Sequence, residues 1–306
     1  MARLHCIVLE IFFLSFILTE SLLDPFYNGF SDKVGNGTLN ANLICDVHSV
    51  HPRFVGSGKA FNICLRPNDL IGRVIKGRDG YWPECKHFYQ FWHHHRPEGL
   101  FVDVGGNIGA CSLLMAANQI PTIAFEPIPS NLFYFVESLR ANKDFNITLY
   151  PLGASSVRKS ATIFAEEGNW GNSMIGTPAN PNKVQHNFTI NLAPLDDVLW
   201  PDKNLPPPII GLMKVDVQGF EGEVIRGAKA LLKAGAVKFL ASEMEPHTLL
   251  AHGMKASDYC NLLKGSGFQL IDGHGKPKDW AEYCGPYDLE ANRDKIDNFW
   301  AKYHPL

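Results

Sequence analysis

Val102-Asp103-Val104-Gly105-Gly106-Asn107-Ile108-Gly109 is an apolar run that breaks into glycine and continues as a helical pattern through Ala117. Glycines in such a turn let the backbone approach a ligand, and a helix starting there presents N–H groups and a positive dipole end. That chemistry suits a nucleoside cofactor carrying a carboxylate or a phosphate. The turn does not meet the Gly-x-Gly-x-x-Gly fingerprint of dinucleotide sites, because positions 105, 107 and 110 are Gly, Asn and Ala. Asp103, just ahead of the turn, is expected to face a cationic amino group. Glu126, which closes the next apolar run and precedes Pro127, is placed to accept hydrogen bonds from both hydroxyls of a ribose. Its competing role is to cap the helix that follows.

A second group of reactive side chains comes later. Lys214-Val215-Asp216-Val217-Gln218-Gly219-Phe220-Glu221 puts Asp216 at the end of a strongly apolar strand, and Glu243-Met244-Glu245-Pro246-His247 clusters two carboxylates and an imidazole after the next one. Arriving on one rim, these groups are candidates for general acid–base work. Asp216, Glu243 and His247, in that order, are the expected bases. Each by itself could be a surface charge or a helix cap; the cluster is harder to dismiss. His93-His94-His95 precedes Pro97 in a loop, and no metal site is expected there or elsewhere.

The elements that must position these residues alternate. Leu100–Val104, Thr122–Phe125, Ile147–Tyr150, Ile209–Val217, Val237–Ala241 and Phe268–Ile271 read as strands that are mostly apolar throughout, with amphipathic helices between them. Ser130 is expected to cap a helix lined by Leu132, Val136 and Leu139, and Ser257 to cap one ending at Gly265. Ala161–Phe164 and Phe188–Leu192 are hairpin-like and break the rhythm. Strands of this kind imply an α/β fold with a doubly wound, mostly parallel Rossmann-like sheet, whose ligands sit at the carboxyl ends of its strands. Phe61–Leu65 and the aromatic segment 81–92 belong to a small N-terminal extension, 61–97, that packs on the core domain 98–306.

The chain has 306 residues, 45% of them apolar, and a formal net charge of -3 with no basic stripe, so nucleic acid is not an expected partner. Residues 1–23 contain the apolar run Ile7–Leu18, broken by Glu10 and Ser15; it is shorter than the ~20 residues of a spanning helix and fits a signal peptide or weak signal anchor. Membrane contact is expected only through that segment if it is uncleaved. Residues 24–60 read as a stem or loosely ordered arm. Asn36, Asn146 and Asn187 head Asn-x-Ser/Thr sequons, which permit passage through the secretory pathway, or secretion. Of the seven cysteines none forms a Cys-x-x-Cys pair; Cys45 and Cys64 are one possible disulfide, and Cys111 is expected to be an inert core thiol.

The glycine turn, the Phe125-Glu126-Pro127 step and the segment Lys214–Glu221, followed by Arg226-Gly227-Ala228, together resemble the FkbM methyltransferases from about residue 98 to 275. Weaker similarity reaches back to Arg66-Pro67-Asn68-Asp69 and Gly80-Tyr81-Trp82. The resemblance implies a class I methyltransferase sheet, S-adenosylmethionine as cofactor, and O-methylation of a sugar, glycan or small molecule. By it, Asp103, Gly105, Asn107, Gly109, Glu126 and the adjoining Pro127 would hold the cofactor, and Asp216 would lie by the transferred methyl. Gln218 departs from the acid many relatives carry there. The rival readings are an NAD-dependent enzyme on a similar sheet and a secreted module that keeps the fold without the activity.

Overall fold

The computed structural model describes residues 43–304 apart from 53–58, 78–80, 167, 177, 179–181, 183 and 293–294. The expected targeting segment, the Asn36 sequon and much of the expected stem lie outside the described residues. Chain order begins with β1 (Asp46–Val50) and β2 (Phe61–Leu65), an antiparallel pair. Asp46–Val50 thus lies in a strand, where its sequence shows no periodicity.

The apolar runs then appear as β3 (Leu100–Val104), β4 (Thr122–Phe125) and β5 (Ile147–Tyr150). Next, β6 (Gly153–Ala154), β7 (Lys159–Glu166), β8 (Asn169–Ile175) and β9 (Val184–Ala193) form a four-stranded sheet in the order β6-β9-β7-β8. The two hairpin-like stretches fall inside β7 and β9, which pair antiparallel with Ile163 opposite Phe188. Last come β10 (Ile210–Val215), β11 (Val237–Met244), β12 (Phe268–Ile271) and β13 (Asp297–Tyr303).

The main sheet runs β12-β13-β11-β10-β3-β4-β5. From β11 to β5 every pairing is parallel. Succession along the chain moves outward from β3 on one side and from β10 on the other, so the switch point lies between these two strands. A ligand crevice is expected at their carboxyl ends. This is the doubly wound α/β sheet that the apolar strands imply. One strand was not foreseen. β13 pairs antiparallel with both β11 and β12, so Phe268–Ile271 runs in the same direction as the five parallel strands, with β13 inserted between it and β11. Along β13 buried Phe299 and Ala301 alternate with more exposed residues, a pattern without the continuous apolar run of its neighbours.

Two helix starts differ from expectation. The helix Pro129–Arg140 begins after Ile128, so Ser130 lies within its first turn; the helix Ala256–Gly265 begins after Lys255, and the Ser257 N–H donates to Asp288. In Pro129–Arg140 the buried face is Asn131, Leu132, Tyr134, Phe135 and Ser138, while Val136 and Leu139 are half-buried. Polar residues sit on that face because it receives the edge of β2. The Cys64 N–H donates to Ser138 Oγ (2.8 Å) and the Asn62 N–H to Asn142 Oδ1 (2.9 Å). Side chains thus satisfy a strand edge that would otherwise be left open. By this polar docking the extension sits on the core.

Three disulfides join Cys45 to Cys64, Cys85 to Cys111 and Cys260 to Cys284. Cys111 is therefore not a free core thiol: it ties the helix Ala110–Ala117 to the helix Pro83–His95. Phe88 and Phe91 of the latter pack on Trp300 of β13, at ring-centroid distances of 5.7 and 3.9 Å, so much of the aromatic segment serves the core. Among the described residues no helix is long and apolar enough to cross a membrane.

Candidate functional site

A cavity of ≈ 390 Å³ opens at the carboxyl ends of β3, β4 and β10, at the switch point. Gly105, Asn107, Glu126, Pro127, Asp216 and Glu243 line it, so most of the residues singled out in the sequence converge on one wall. Asp103, Gly109 and His247 are absent from that lining.

The glycine turn owes its composition to packing. Gly105 has φ +87°, and a Cβ there would fall 1.9 Å from the Asp216 carbonyl oxygen. Only glycine lets the two motif-bearing loops meet. Gly109 has φ +88°, and a Cβ would sit 2.6 Å from the Phe135 ring, so its role is to seat the turn on the helix Pro129–Arg140. The turn's N–H groups are also engaged. Those of Gly105 and Gly106 donate to the Phe125 carbonyl at 3.0 and 2.9 Å, and that of Asn107 to Glu126 Oε2 at 2.8 Å. These donors lie ahead of the helix start at Ala110 and hold the turn in place.

Asp103 requires a correction as well. Its carboxyl is buried and accepts from Lys214 Nζ (3.0 Å) and Ser112 Oγ (2.7 Å). It balances a buried lysine and does not face a ligand amino group. Lys214 Nζ also donates to the Gly105 carbonyl at 2.9 Å and lies 3.4 Å from Asp216 Oδ2. Burial by itself would lower this ammonium's pKa, but Asp103 and Asp216 outweigh it and hold the group above the ordinary lysine value. The lysine of the second motif thus clamps the turn of the first.

Glu126 is 4% exposed and accepts three donors in the protein: Ile128 N–H and Asn131 Nδ2 on Oε1, at 2.8 and 3.2 Å, and Asn107 N–H on Oε2. An ionised carboxylate has about four acceptor sites, so roughly one remains, on Oε2. Glu126 therefore both secures the start of the next helix and keeps room for one ligand hydroxyl, where the sequence led us to expect two. Burial pushes its carboxyl up to about 7, against the pull of the Ile128, Asn107 and Asn131 donors.

In the same lining Gln218 bridges two acids, donating from Nε2 to Asp216 Oδ1 (3.0 Å) and Glu243 Oε2 (2.8 Å). Its backbone is left-handed, φ 53°, in a loop tied by Val217 and Gly219 N–H bonds to Glu221 Oε1. Burial, and then the charges of Asp216, Glu221, Glu245 and Glu84, push Glu243 well above neutrality. That shift favours the protonated form of Glu243, whose Oε2 is already held by Gln218. His247 stands outside the cavity with Nε2 3.6 Å from Glu245 Oε1. Of the three expected bases, Asp216 and Glu243 are the ones in the lining, and His247 adjoins it through Glu245.

Several lining residues carried no site assignment in the sequence. Glu84 and Trp82 enter the lining from the extension, with the Trp82 Nε1–H donating to Glu84 Oε2 (3.2 Å), and Asn131 and Trp170 from elsewhere. The Trp170 ring is engaged by the Arg66 guanidinium at 3.8 Å and the His186 ring at 4.9 Å. The nearest sequence signal for Glu84 was the adjacent Gly80-Tyr81-Trp82.

Comparison with known proteins agrees with the motif-bearing core. The chain matches the Methyltransferase FkbM domain over residues 76–270. Methyltransferase 1 of Beauveria bassiana (strain ARSEF 2860) is 26% identical over 147 residues, 42% of this chain and 58% of that protein, so the chain spans little more than half the length of this relative. Among solved structures, a 16S rRNA methyltransferase of T. thermophilus in complex with AdoMet and guanosine has a TM-score of 0.42 at 12% identity, over 84% of this chain and 51% of that one. A TehB-like SAM-dependent methyltransferase of Corynebacterium glutamicum has a TM-score of 0.38 at 11% identity, over 76% of this chain and 93% of that one. The matched domain spans β3 to β12 and every motif that lines the cavity, and the chain belongs to the FkbM methyltransferase family.

Proposed function

We propose that this methyltransferase uses S-adenosylmethionine to methylate a hydroxyl of a sugar, a glycan or a small metabolite, in an oxidising secretory compartment. The observation that carries the reading is that Glu126, at the end of β4, and Asp216, at the end of β10, open into the same ≈ 390 Å³ cavity on either side of the glycine turn. That volume falls within the ~300–1,000 Å³ of small-molecule sites.

The cavity fits the cofactor: it joins a close backbone wall, Gly105 to Asn107, to a buried carboxylate with one acceptor site left. When bound, S-adenosylmethionine supplies a sulfonium methyl open to in-line attack. Glu126 Oε2 accepts from the ribose, and Pro127 lines the wall next to it. Asp216 would take the proton of the acceptor hydroxyl as that oxygen forms its bond to the methyl carbon and the methyl–sulfur bond breaks, releasing S-adenosylhomocysteine. Gln218 donates to Asp216 Oδ1 and Lys214 Nζ lies 3.4 Å from Oδ2, so these two partners hold the carboxylate in place. Glu243, which also accepts from Gln218, would meet the acceptor from the same lining. Trp82, Ile71 and Ile296 form an apolar wall for its ring or chain.

The test is calorimetric titration of the full chain with S-adenosylmethionine, followed by labelled-methyl transfer to hydroxyl acceptors. Glu126→Ala is expected to weaken binding about tenfold, the loss of one charged hydrogen bond. Asp216→Asn is expected to bind normally but to turn over ~10²–10⁴-fold more slowly. Full turnover by Asp216→Asn would remove it as the base. No binding by a folded wild type would leave a non-catalytic module that keeps the fold.

The compartment is supported by the three disulfides and by Asn146 and Asn187, both exposed. A mobility shift on removal of N-glycans, lost in the Asn36→Gln/Asn146→Gln/Asn187→Gln protein, is the expected result for protein expressed in eukaryotic cells.

A further inference from the structure

β2 ends at Leu65 and hands the chain to Arg66-Pro67-Asn68-Asp69, a motif that the proposed chemistry does not use. Arg66 is 8% exposed, with its guanidinium 3.8 Å from the Trp170 ring centre and 4.9 Å from that of Tyr134. Asp69 helps to build this seat. Its carboxylate accepts from the Ile71 N–H (3.0 Å) and from the Trp170 N–H (3.4 Å), so the tetrapeptide that delivers the arginine also fixes the ring it stacks on.

Arg66 Nη2 donates to Ser130 Oγ (3.2 Å) and to Asn131 Oδ1 (2.8 Å). Asn131, 1% exposed and in the cavity lining, donates in turn from Nδ2 to Glu126 Oε1 (3.2 Å). A guanidinium can only donate, so it obliges Asn131 to turn its carbonyl oxygen towards Arg66 and its amide hydrogens towards Glu126. With Ile128 N–H and Asn131 both on Oε1, the remaining acceptor site of Glu126 is the one on Oε2.

We propose that Arg66 is a positioning residue for the cofactor: through Asn131 it locks the Glu126 carboxylate so that Oε2 presents its open acceptor site to the ribose hydroxyls. The inference rests on the adenosylmethionine reading above and adds to it a residue outside the cavity lining. A lysine cannot replace the arginine, because an ammonium lacks the planar fork that stacks on Trp170 while donating to two side chains.

The test is calorimetric titration of the full chain with S-adenosylhomocysteine and with its 2′,3′-dideoxy analogue, for the wild type, Arg66→Lys, Asn131→Ala and Glu126→Gln. The wild type is expected to prefer the ligand with the intact diol. Arg66→Lys and Asn131→Ala should each weaken S-adenosylhomocysteine about tenfold, the scale of one hydrogen bond to a charged group, and leave the analogue unchanged. A merely structural role would weaken both ligands in the same proportion, and that result overturns the inference. If Arg66→Lys does not fold, Asn131→Ala carries the same decision, because the Arg66–Trp170 stack does not involve Asn131. Loss of the diol preference in Glu126→Gln with its retention in the Arg66 and Asn131 variants overturns this inference but not the cofactor reading. Binding of neither ligand by folded wild type overturns both.

Discussion

Lys214 Nζ lies 3.0 Å from Asp103 Oδ1, with the two side chains 5% and 1% exposed, and the pair joins the first motif of the FkbM domain to its second. The two residues face each other in register, Lys214 on β10 opposite Asp103 on β3. Removing one partner of a buried pair strands the other charge, at a cost of about 3–5 kcal/mol. Asp103→Ala is therefore expected to lower the melting temperature sharply. Asp103→Leu combined with Lys214→Met should recover much of the loss, because both charges leave together. An Asp103→Ala protein that melts like wild type yet loses cofactor would return Asp103 to the ligand-facing role.

The Cys85–Cys111 disulfide spans two walls of the cavity. Cys111 lines it, and Cys85 follows the lining residue Glu84. Replacing both cysteines with alanine is expected to cost ~2–4 kcal/mol of stability. It should also weaken S-adenosylmethionine, because the helix carrying Trp82 and Glu84 at its start loses its tie to the helix that follows the glycine turn. Calorimetry beside thermal melting checks both effects; unchanged affinity in the destabilised protein would confine the bridge to folding.

Glu221 sets a pH dependence. Its Oε1 accepts from Val217 and Gly219, Oε2 is buried without a partner, and burial pushes the carboxyl from 4.5 up to about 7. A carboxyl raised on folding contributes stability that is fully present below its unfolded value. That contribution is lost as pH rises through about 7. Glu221→Gln keeps the acceptor and cannot ionise. The melting-temperature difference between Glu221→Gln and wild type should therefore be more favourable to the variant at pH 8 than at pH 5, by about 2–4 °C per kcal/mol gained. A difference that runs the other way would mean the ionised carboxylate is favoured in the fold.

The sequence by itself determined the parallel half of the sheet and placed its motif residues Gly105, Asn107, Glu126, Pro127, Asp216 and Glu243 on the cavity. Leu100–Val104 and Ile210–Val215 are apolar but for the paired Asp103 and Lys214, as strands buried on both faces require, and the motifs sit at their carboxyl ends, where the switch point places a ligand. Local pattern could not reveal β13, where Phe299 and Ala301 alternate with more exposed residues, nor the buried polar face of the helix Pro129–Arg140, which exists because β2 docks on it. Nor could it decide which carboxylates face a ligand. Asp103, Glu126, Asp216 and Glu243 are equivalent as letters. Tertiary structure sorted them by what reached each one: a buried lysine for Asp103, three donors for Glu126, an amide for Asp216 and a ring of like charges for Glu243. Those partners come from distant segments, and the energy of a buried charge is set by its surroundings, not by its place in the chain.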